Sequence, residues 1–209
     1  NQWGVFSIAG PNSRNFLKKI VVSENPDKTL SNKEFPWLSY RDIEIGMCPV
    51  RALRVAYTGE LGWELHHPIE MQNYLLDILL SAGEEFDLKL VGARAQNWLR
   101  QEKSYKAFGS DLGRDAGPFE SNLNRFVDIS KDFLGKKALL DRKTEVSCVT
   151  LLIDGPEDMD PWGREALYNE SEELVLGRLT SGGYSVNFKK SIGIGYVKSS
   201  FSEVGTKLR

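Results

Sequence analysis

Residues 55–65 read Val-Ala-Tyr-Thr-Gly-Glu-Leu-Gly-Trp-Glu-Leu, and this stretch carries the strongest structural signal in the chain. A β-branched and aromatic run leads into it, two glycines interrupt it, and a strand-like run resumes at Trp63. Such runs favour strands, and glycines between them favour a loop. The stretch therefore predicts a loop held between two strands, with Glu60 as a carboxylate flanked by glycines.

The sequence on both sides of this loop mixes strand-like and helical patterns. Apolar residues at three- and four-residue intervals predict amphipathic helices, and Gly83 marks the end of one of them. The predicted elements are strand 5–9, helix 13–21, strands 43–45 and 50–57 around a turn at 46–49, strand 63–66, and helices 68–83, 93–103 and 133–140. This mixture predicts an α+β unit over residues 1–143.

After about residue 144 the pattern changes to strands and turns. Strand-like runs occupy residues 146–153, 174–180 and 192–198. The tripeptide Ser181-Gly182-Gly183 is predicted to form a turn, because glycine is the commonest residue where the chain reverses. Residues 144–209 are therefore predicted to form a small all-β unit.

The composition excludes two broad classes of partner. The 209 residues contain 27 Lys and Arg against 29 Asp and Glu, a net charge of −2. Proteins that bind nucleic acid through its phosphates carry a surplus of Lys and Arg. The longest apolar run, residues 75–80, is far shorter than the roughly 20 residues that span a bilayer. We therefore predict a soluble protein that binds neither nucleic acid nor membranes.

The two cysteines predict a reducing compartment. Cys48 and Cys148 lie 100 positions apart and form no C-x-x-C pair. A chain of this size does not need a disulfide, so both are predicted to be reduced, buried thiols. The expected location is the cytoplasm, or the mitochondrial matrix if the source is eukaryotic.

No metal site is predicted. His66 and His67 are adjacent on a predicted strand, where successive side chains point to opposite faces. The acidic cluster Glu157, Asp158 and Asp160 lacks the spacing and the glycine of the common calcium loop, so it is predicted to be a solvated turn. Phosphate-loop and nucleophile-elbow motifs do not occur in the sequence either.

Five motifs in order resemble the folate-binding aminomethyltransferase family, which includes the T-protein of the glycine cleavage system. They are residues 8–14, 55–65, 99–105, 131–139 and 179–185. The Glu-Leu-Gly-Trp-Glu variant at 60–64 and the Glu102-Lys103 pair are closer to the C-terminal halves of dimethylglycine and sarcosine dehydrogenases. The resemblance implies an α+β fold: the C-terminal part of an aminomethyltransferase-type folate-binding domain over 1–143, then a small C-terminal β-barrel over 144–209.

The resemblance also assigns folate-binding residues. Glu60 matches the glutamate that binds the pterin, whose N–H and amino group lie side by side and can both donate to one carboxylate. Tyr105 falls where family members place a tyrosine that faces the folate. The arginine of the T-protein aligns with Gln96, and Arg94 lies two residues earlier, so either position is a candidate for that contact.

The expected activity is transfer of a one-carbon unit from an N-methyl amine or an aminomethyl donor to tetrahydrofolate. In the family, the aspartate that steers this transfer lies upstream of the segment matching Asn1, so no catalytic residue is predicted here and the fragment alone is expected to be inactive. FAD is expected only in a preceding N-terminal half. Beyond folate and a small-molecule substrate no partner is predicted, and the oligomeric state stays open.

Two alternatives remain at the level of the sequence. One is a demethylase that moves a methyl group from a sulfonium to tetrahydrofolate. The other is a non-catalytic folate-binding module of the kind that serves iron–sulfur cluster assembly. Those modules usually carry a Lys-Gly-Cys motif at the end of the second helix, and residues 103–106 here read Lys-Ser-Tyr-Lys.

Overall fold

The computed structural model describes residues 2–156 and 159–209. It contains two compact units, Asn1–Gln96 and Asn97–Arg209. The family-level boundary between residues 143 and 144 stays a prediction. No helix among the described residues is long and apolar enough to cross a membrane.

The first unit is built on a four-stranded antiparallel sheet with the strand order β1-β4-β3-β2. Its strands are β1 (Trp3–Ala9), β2 (Tyr40–Ile45), β3 (Cys48–Leu53) and β4 (Gly62–Pro68), and its helices are α1 (Ser13–Ile20), α2 (Pro26–Thr29) and α3 (Gln72–Gly83). Short 3-10 turns occupy Ile69–Met71 and Glu84–Phe86. The predicted helices 13–21 and 68–83 are confirmed, the second beginning with the 3-10 turn.

The core of this unit lies between the sheet and the helices. Phe16 and Leu17 of α1 and Leu75 of α3 are buried with Trp63 and Leu65 of β4. The alternation of β4 produces this burial, because every second side chain points to the same face. Trp63 thus belongs to the core, although it stands at the edge of the glycine-rich loop.

The hairpin between β2 and β3 is tighter than its sequence suggests. Its turn is Gly46-Met47 alone, and Gly46 has φ +57, a conformation that glycine adopts without strain. The second strand ends at Leu53 and not at the predicted residue 57. One further hydrogen bond continues the same register past the end of the strand, from the Arg54 N–H to the Ser39 carbonyl at 2.9 Å.

The second unit contains a second antiparallel sheet, in the order β5-β8-β7-β6. Its strands are β5 (Val146–Ile153), β6 (Ala166–Tyr168), β7 (Val175–Ser185) and β8 (Lys190–Lys198). Helix α4 (Ala93–Glu102) begins before it, α5 (Lys136–Asp141) precedes the sheet, and 3-10 turns occupy Asn124–Phe126 and Ser199–Phe201. The predicted strand 146–153 is confirmed to the residue, whereas β6 was not predicted.

The predicted turn at Ser181–Gly183 is wrong, because β7 continues through these residues to Ser185. The pairing of β7 with β8 shifts register between Leu179 and Ser181, which marks a β-bulge. The glycines serve close packing: a Cβ on Gly182 would lie 2.3 Å from the Pro161 carbonyl oxygen, and one on Gly183 would lie 2.2 Å from Trp98 Cδ1.

Candidate folate-binding site

The loop of residues 54–61, called here the Glu60 loop, connects β3 to β4 and presents an exposed carboxylate. Gly59 has φ +73 and its N–H donates to the Ala56 carbonyl at 3.0 Å. The Leu61 carbonyl accepts from the Gly10 N–H at 2.8 Å. A Cβ on Gly62 would lie 2.4 Å from the Ile8 carbonyl oxygen, so only glycine fits there. The backbone around Glu60 is therefore fixed while its side chain faces solvent.

The Glu60 loop and the start of β4 each contain one buried polar atom without a hydrogen-bond partner among the described residues. They are the Thr58 hydroxyl oxygen and the Trp63 indole nitrogen. Most buried polar groups in folded proteins are paired, so unpaired ones in a loop indicate a place for a polar ligand. Thr58 lies two residues before the exposed Glu60, so this loop carries an unpaired hydroxyl and a free-standing carboxylate close together in sequence.

Two arginines stack on the ring of Trp63. The Arg14 guanidinium carbon lies 5.4 Å from the ring centroid and that of Arg54 lies 5.9 Å away, both within the range of cation–π interactions. Phe35 meets the same ring edge-on, at a centroid distance of 6.1 Å. Burial, and then the positive charge of Arg14, lowers the pKa of the Arg54 guanidinium.

Tyr105 belongs to the second unit and follows the end of α4. Its N–H donates to the Arg100 carbonyl and the Ser104 N–H donates to the Gln101 carbonyl, both at 2.9 Å, while Ser104 has φ +56. These features form a Schellman motif, which closes a helix C-terminus. The Arg100 side chain also donates to the Tyr105 carbonyl at 2.7 Å. Arg100 therefore holds both main-chain polar groups of Tyr105, whose side chain is half-buried.

Arg100 is itself part of a buried ion pair that sequence reasoning missed. Its Nη1 lies 2.6 Å from Asp111 Oδ2, and the two side chains are 2% and 0% exposed. Asp111 Oδ2 also accepts from the Ala107 N–H at 2.9 Å. Asp111 Oδ1 accepts from the hydroxyls of Thr180 at 2.5 Å and Ser181 at 2.6 Å. This carboxylate thus accepts four hydrogen bonds without contact with water.

The one indication of this network in the sequence is that Thr180 and Ser181 lie in a family motif. Asp111 lies in the run Gly109–Gly113, about 70 residues away, and none of the five motifs includes it. Nothing in local periodicity brings them together. The family motifs 99–105 and 179–185 therefore contain structural residues as well as candidate ligand contacts.

Arg94 and Gln96 both lie in the first half of α4. Arg94 is exposed and Gln96 is half-buried. The Gln96 N–H donates to the Gly92 carbonyl at 3.1 Å, as expected near the start of a helix. Arg94 and Glu60 belong to the first unit and Tyr105 to the second. Which of the two α4 positions contacts folate stays a prediction.

The two cysteines are free and buried, as predicted. Burial raises the pKa of the Cys148 thiol to about 11, and burial also raises the pKa of the neighbouring Tyr196 hydroxyl to about 12. Tyr196 donates to the Asp111 carbonyl at 2.8 Å. A thiol that stays protonated at neutral pH is a poor nucleophile, so Cys148 is a packing residue.

Of the acidic cluster predicted to be a solvated turn, Glu157 and Asp158 lie outside the described residues.

Comparison with known proteins identifies the family of the chain. The model of the GCVT N-terminal domain matches residues 1–131, and that of the glycine cleavage T-protein C-terminal barrel domain matches residues 147–209. The chain belongs to the glycine cleavage T-protein family. This is a family of folate-dependent aminomethyltransferases, so the family resemblance and the predicted fold class are confirmed.

Relatives of this T-protein family member include oxidoreductases and transferases. Mouse mitochondrial dimethylglycine dehydrogenase is 38% identical over the whole chain, which covers 24% of that protein. An aminomethyltransferase of Caldanaerobacter subterraneus is 30% identical over 97% of the chain, which covers 52% of it. The crystal structure of glycine cleavage system aminomethyltransferase T from Bartonella henselae matches 99% of the chain with a TM-score of 0.80, at 22% identity and 54% coverage of that structure. The chain thus spans a quarter to a half of the relatives' length.

Proposed function

We propose that this chain supplies the pterin-binding surface of an enzyme that transfers a one-carbon unit to tetrahydrofolate. The observation that carries this proposal is the exposed carboxylate of Glu60 on a loop whose backbone is fixed on both sides. A carboxylate can accept from the ring N–H and the amino group of a pterin by two parallel bonds. Hydrogen bonds to charged groups contribute about 1.5–3 kcal/mol each, which is enough to orient the ring.

The proposed donor is an N-methyl amine. The names of several relatives support this class, namely dimethylglycine dehydrogenase, sarcosine dehydrogenase and 4-methylaminobutanoate oxidase. In the proposed reaction, N5 of tetrahydrofolate attacks the methylene carbon of an iminium, which is the oxidised form of an N-methyl group. The bond from this carbon to the amine nitrogen then breaks, and N10 bonds to the carbon. The products are 5,10-methylenetetrahydrofolate and the demethylated amine, which takes up the two protons that N5 and N10 lose. The comparisons do not favour a sulfonium demethylase or a non-catalytic module.

Other parts of the active site are proposed to lie outside these 209 residues. They are the aspartate that steers the transfer and, in a dehydrogenase, the FAD-binding half. Within the chain, Tyr105 is proposed to face the folate, and Arg94 or Gln96 to contact it. Since dimethylglycine dehydrogenases of mouse and human are named as mitochondrial, the proposed location in a eukaryote is the mitochondrion.

The test is tetrahydrofolate binding by the complete polypeptide that carries this chain, measured by calorimetry. Replacement of Glu60 by Gln removes the charge and one acceptor, so affinity is expected to fall by about one to two orders of magnitude. Glu24→Gln is the matched control, because Glu24 is an exposed glutamate of the same unit outside the Glu60 loop.

Equal affinity in wild type and Glu60→Gln would refute the assignment of Glu60. The 209-residue chain on its own is expected to bind tetrahydrofolate weakly, since preorganised groups on the rest of the polypeptide are missing from it. Submicromolar binding by the chain alone would contradict this second expectation.

A further inference from the structure

The cluster of Arg14, Arg54 and Trp63 at the base of the Glu60 loop is rich in donors and poor in acceptors. Arg14 donates to the Leu30 carbonyl, and to Asn32 Oδ1 at 2.7 Å. Arg54 donates to the Phe35 carbonyl at 2.6 Å. All three acceptors are neutral, so no carboxylate of the described residues pairs with either guanidinium.

A guanidinium has five N–H donors, and these interactions use only some of them. The indole N–H of Trp63, a residue that is 0% exposed, is a further donor and has no partner among residues 2–156 and 159–209. Two like charges that share one aromatic ring repel each other, and a buried donor without an acceptor costs free energy. An anion that accepts several hydrogen bonds would relieve both costs.

A neighbouring arginine in the same unit combines an aromatic contact with a counter-charge. The Arg51 guanidinium lies 5.4 Å from the Tyr40 ring centroid, much as Arg14 lies over Trp63. Arg51, however, forms a fork with Asp42, with contacts of 2.8 and 3.2 Å. Arg51 thus has a carboxylate partner in addition to its aromatic contact. Arg14 and Arg54 have the aromatic contact but no carboxylate partner among the described residues.

We propose that Arg14 and Arg54, stacked on Trp63, form a carboxylate-binding site at the base of the Glu60 loop. Planar guanidinium groups match the two oxygens of a carboxylate, and both side chains are half-buried and so accessible from solvent. The identity of the carboxylate rests on the proposed function. Two sources share this chemistry: the glutamyl tail of folate, and the carboxyl group of an amino-acid-type amine donor.

The site itself is tested without folate, by thermal unfolding of the complete polypeptide with and without millimolar glutarate. A ligand that binds only the folded state raises Tm. Glutarate is expected to raise the Tm of wild type, of Glu60→Gln and of the matched control Arg51→Gln. It is expected to have no effect on the Tm of the double variant Arg14→Gln/Arg54→Gln. The comparison uses the glutarate-induced shift of each variant, so a lower starting Tm does not affect it.

The source of the carboxylate is then identified by binding and kinetics. If it is the glutamyl tail, Arg54→Gln weakens tetrahydrofolate binding about tenfold and leaves tetrahydropteroate, which lacks the glutamate, unchanged. If it is the donor, which reaches folate as an iminium, Arg54→Gln instead lowers the yield of 5,10-methylenetetrahydrofolate per dimethylglycine oxidised and leaves the affinity for tetrahydrofolate unchanged. Arg14→Lys and Arg54→Lys retain the charge and serve if the Gln variants do not fold.

No glutarate effect in wild type, or an equal effect in the double variant, would overturn the site. Loss of folate binding alone in Glu60→Gln does not bear on it. Conversely, a glutarate effect without any folate binding would retain the carboxylate site and refute the proposed function.

Discussion

Replacement of Asp111 by Asn is expected to destabilise the protein by about 3–5 kcal/mol. This is the usual cost of removing one partner from a buried ion pair, because the other charge remains buried without compensation. Arg100 and Asp111 are both nearly inaccessible to solvent, with a contact of 2.6 Å. Since whole domains are stable by about 5–15 kcal/mol, the change removes a large part of the total.

The hydrogen bonds of Asp111 support the same magnitude. Asn provides one acceptor oxygen where Asp provides two, so the four donors that now share the carboxylate must share one oxygen. A buried donor left without an acceptor costs about 1–3 kcal/mol. Thr180 also lies 3.1 Å from the Ile194 carbonyl, which can accept its hydroxyl and limits the loss. Ser181 can turn to the Ser110 hydroxyl at 3.4 Å and Arg100 keeps the Tyr105 carbonyl at 2.7 Å, but neither acceptor carries the negative charge that Arg100 loses.

The assay is urea denaturation followed by circular dichroism, with the free energy of unfolding extrapolated to zero urea. Asp154→Asn is the matched control in the same unit. Asp154 pairs with Lys190 at 2.6 Å but is 86% exposed, so solvent screens the pair and little change is expected. The double variant Arg100→Gln/Asp111→Asn should lose less than the sum of the single losses.

A loss of less than about 1 kcal/mol for Asp111→Asn would refute this reasoning, because a buried counter-ion cannot be removed so cheaply. Additive losses in the double-mutant cycle would also refute it. They would show that the two residues contribute independently.

Two further predictions concern the same unit. Gly177→Ala should destabilise it by about 3 kcal/mol in urea denaturation, because the new Cβ would lie 1.8 Å from the Tyr196 carbonyl oxygen, whereas a Cβ on Gly113 meets nothing within 4 Å and Gly113→Ala should be neutral or slightly stabilising. The raised pKa of Cys148 means that the folded state holds the thiol proton more tightly than the unfolded state, so this contribution to stability is complete below about pH 9 and disappears as the pH rises to about 11. Unfolding free energies measured across this range should fall less steeply in Cys148→Ala than in wild type, and equal slopes would contradict the prediction.

Local patterns predicted most of the fold. The predicted helix 93–103 is α4, Ala93–Glu102, and the first strand and helix also agree. These elements follow from hydrophobic periodicity and from residues that end helices, both of which are local. Leu30 and Phe35 show the limit of such patterns. They lie in a polar stretch with two prolines, residues 24–36, whose composition is typical of a surface connection, yet both are fully buried.

The glycines of β7 could not be interpreted from the sequence. Ser-Gly-Gly is a frequent turn sequence, but small residues also stand where another chain segment approaches closely. Here Pro161 and Trp98 approach Gly182 and Gly183. Both segments are distant in sequence, so the choice between turn and close packing depends on the tertiary structure.

The candidate site shows the same difference between residues with a local signal and residues that depend on the tertiary structure. Glu60 was found because its loop carries a local signal, two flanking glycines, and because the family motif includes it. Asp111 was missed because a polar residue in a glycine-containing run is normally interpreted as surface. Its burial depends on Arg100 and on hydroxyls about 70 positions away, and only the folded chain brings these groups together.

The way the fold holds Tyr105 bears on the role of its side chain. The contacts that fix this residue run through its N–H and carbonyl, both bound by Arg100, and Arg100 is in turn held by Asp111. Main-chain contacts of this kind do not involve the side chain and could form with any residue at position 105 except proline, which has no N–H. The fold therefore fixes the position of residue 105 through its main chain, and the contact between the Tyr105 side chain and folate that the family motif implies stays a prediction.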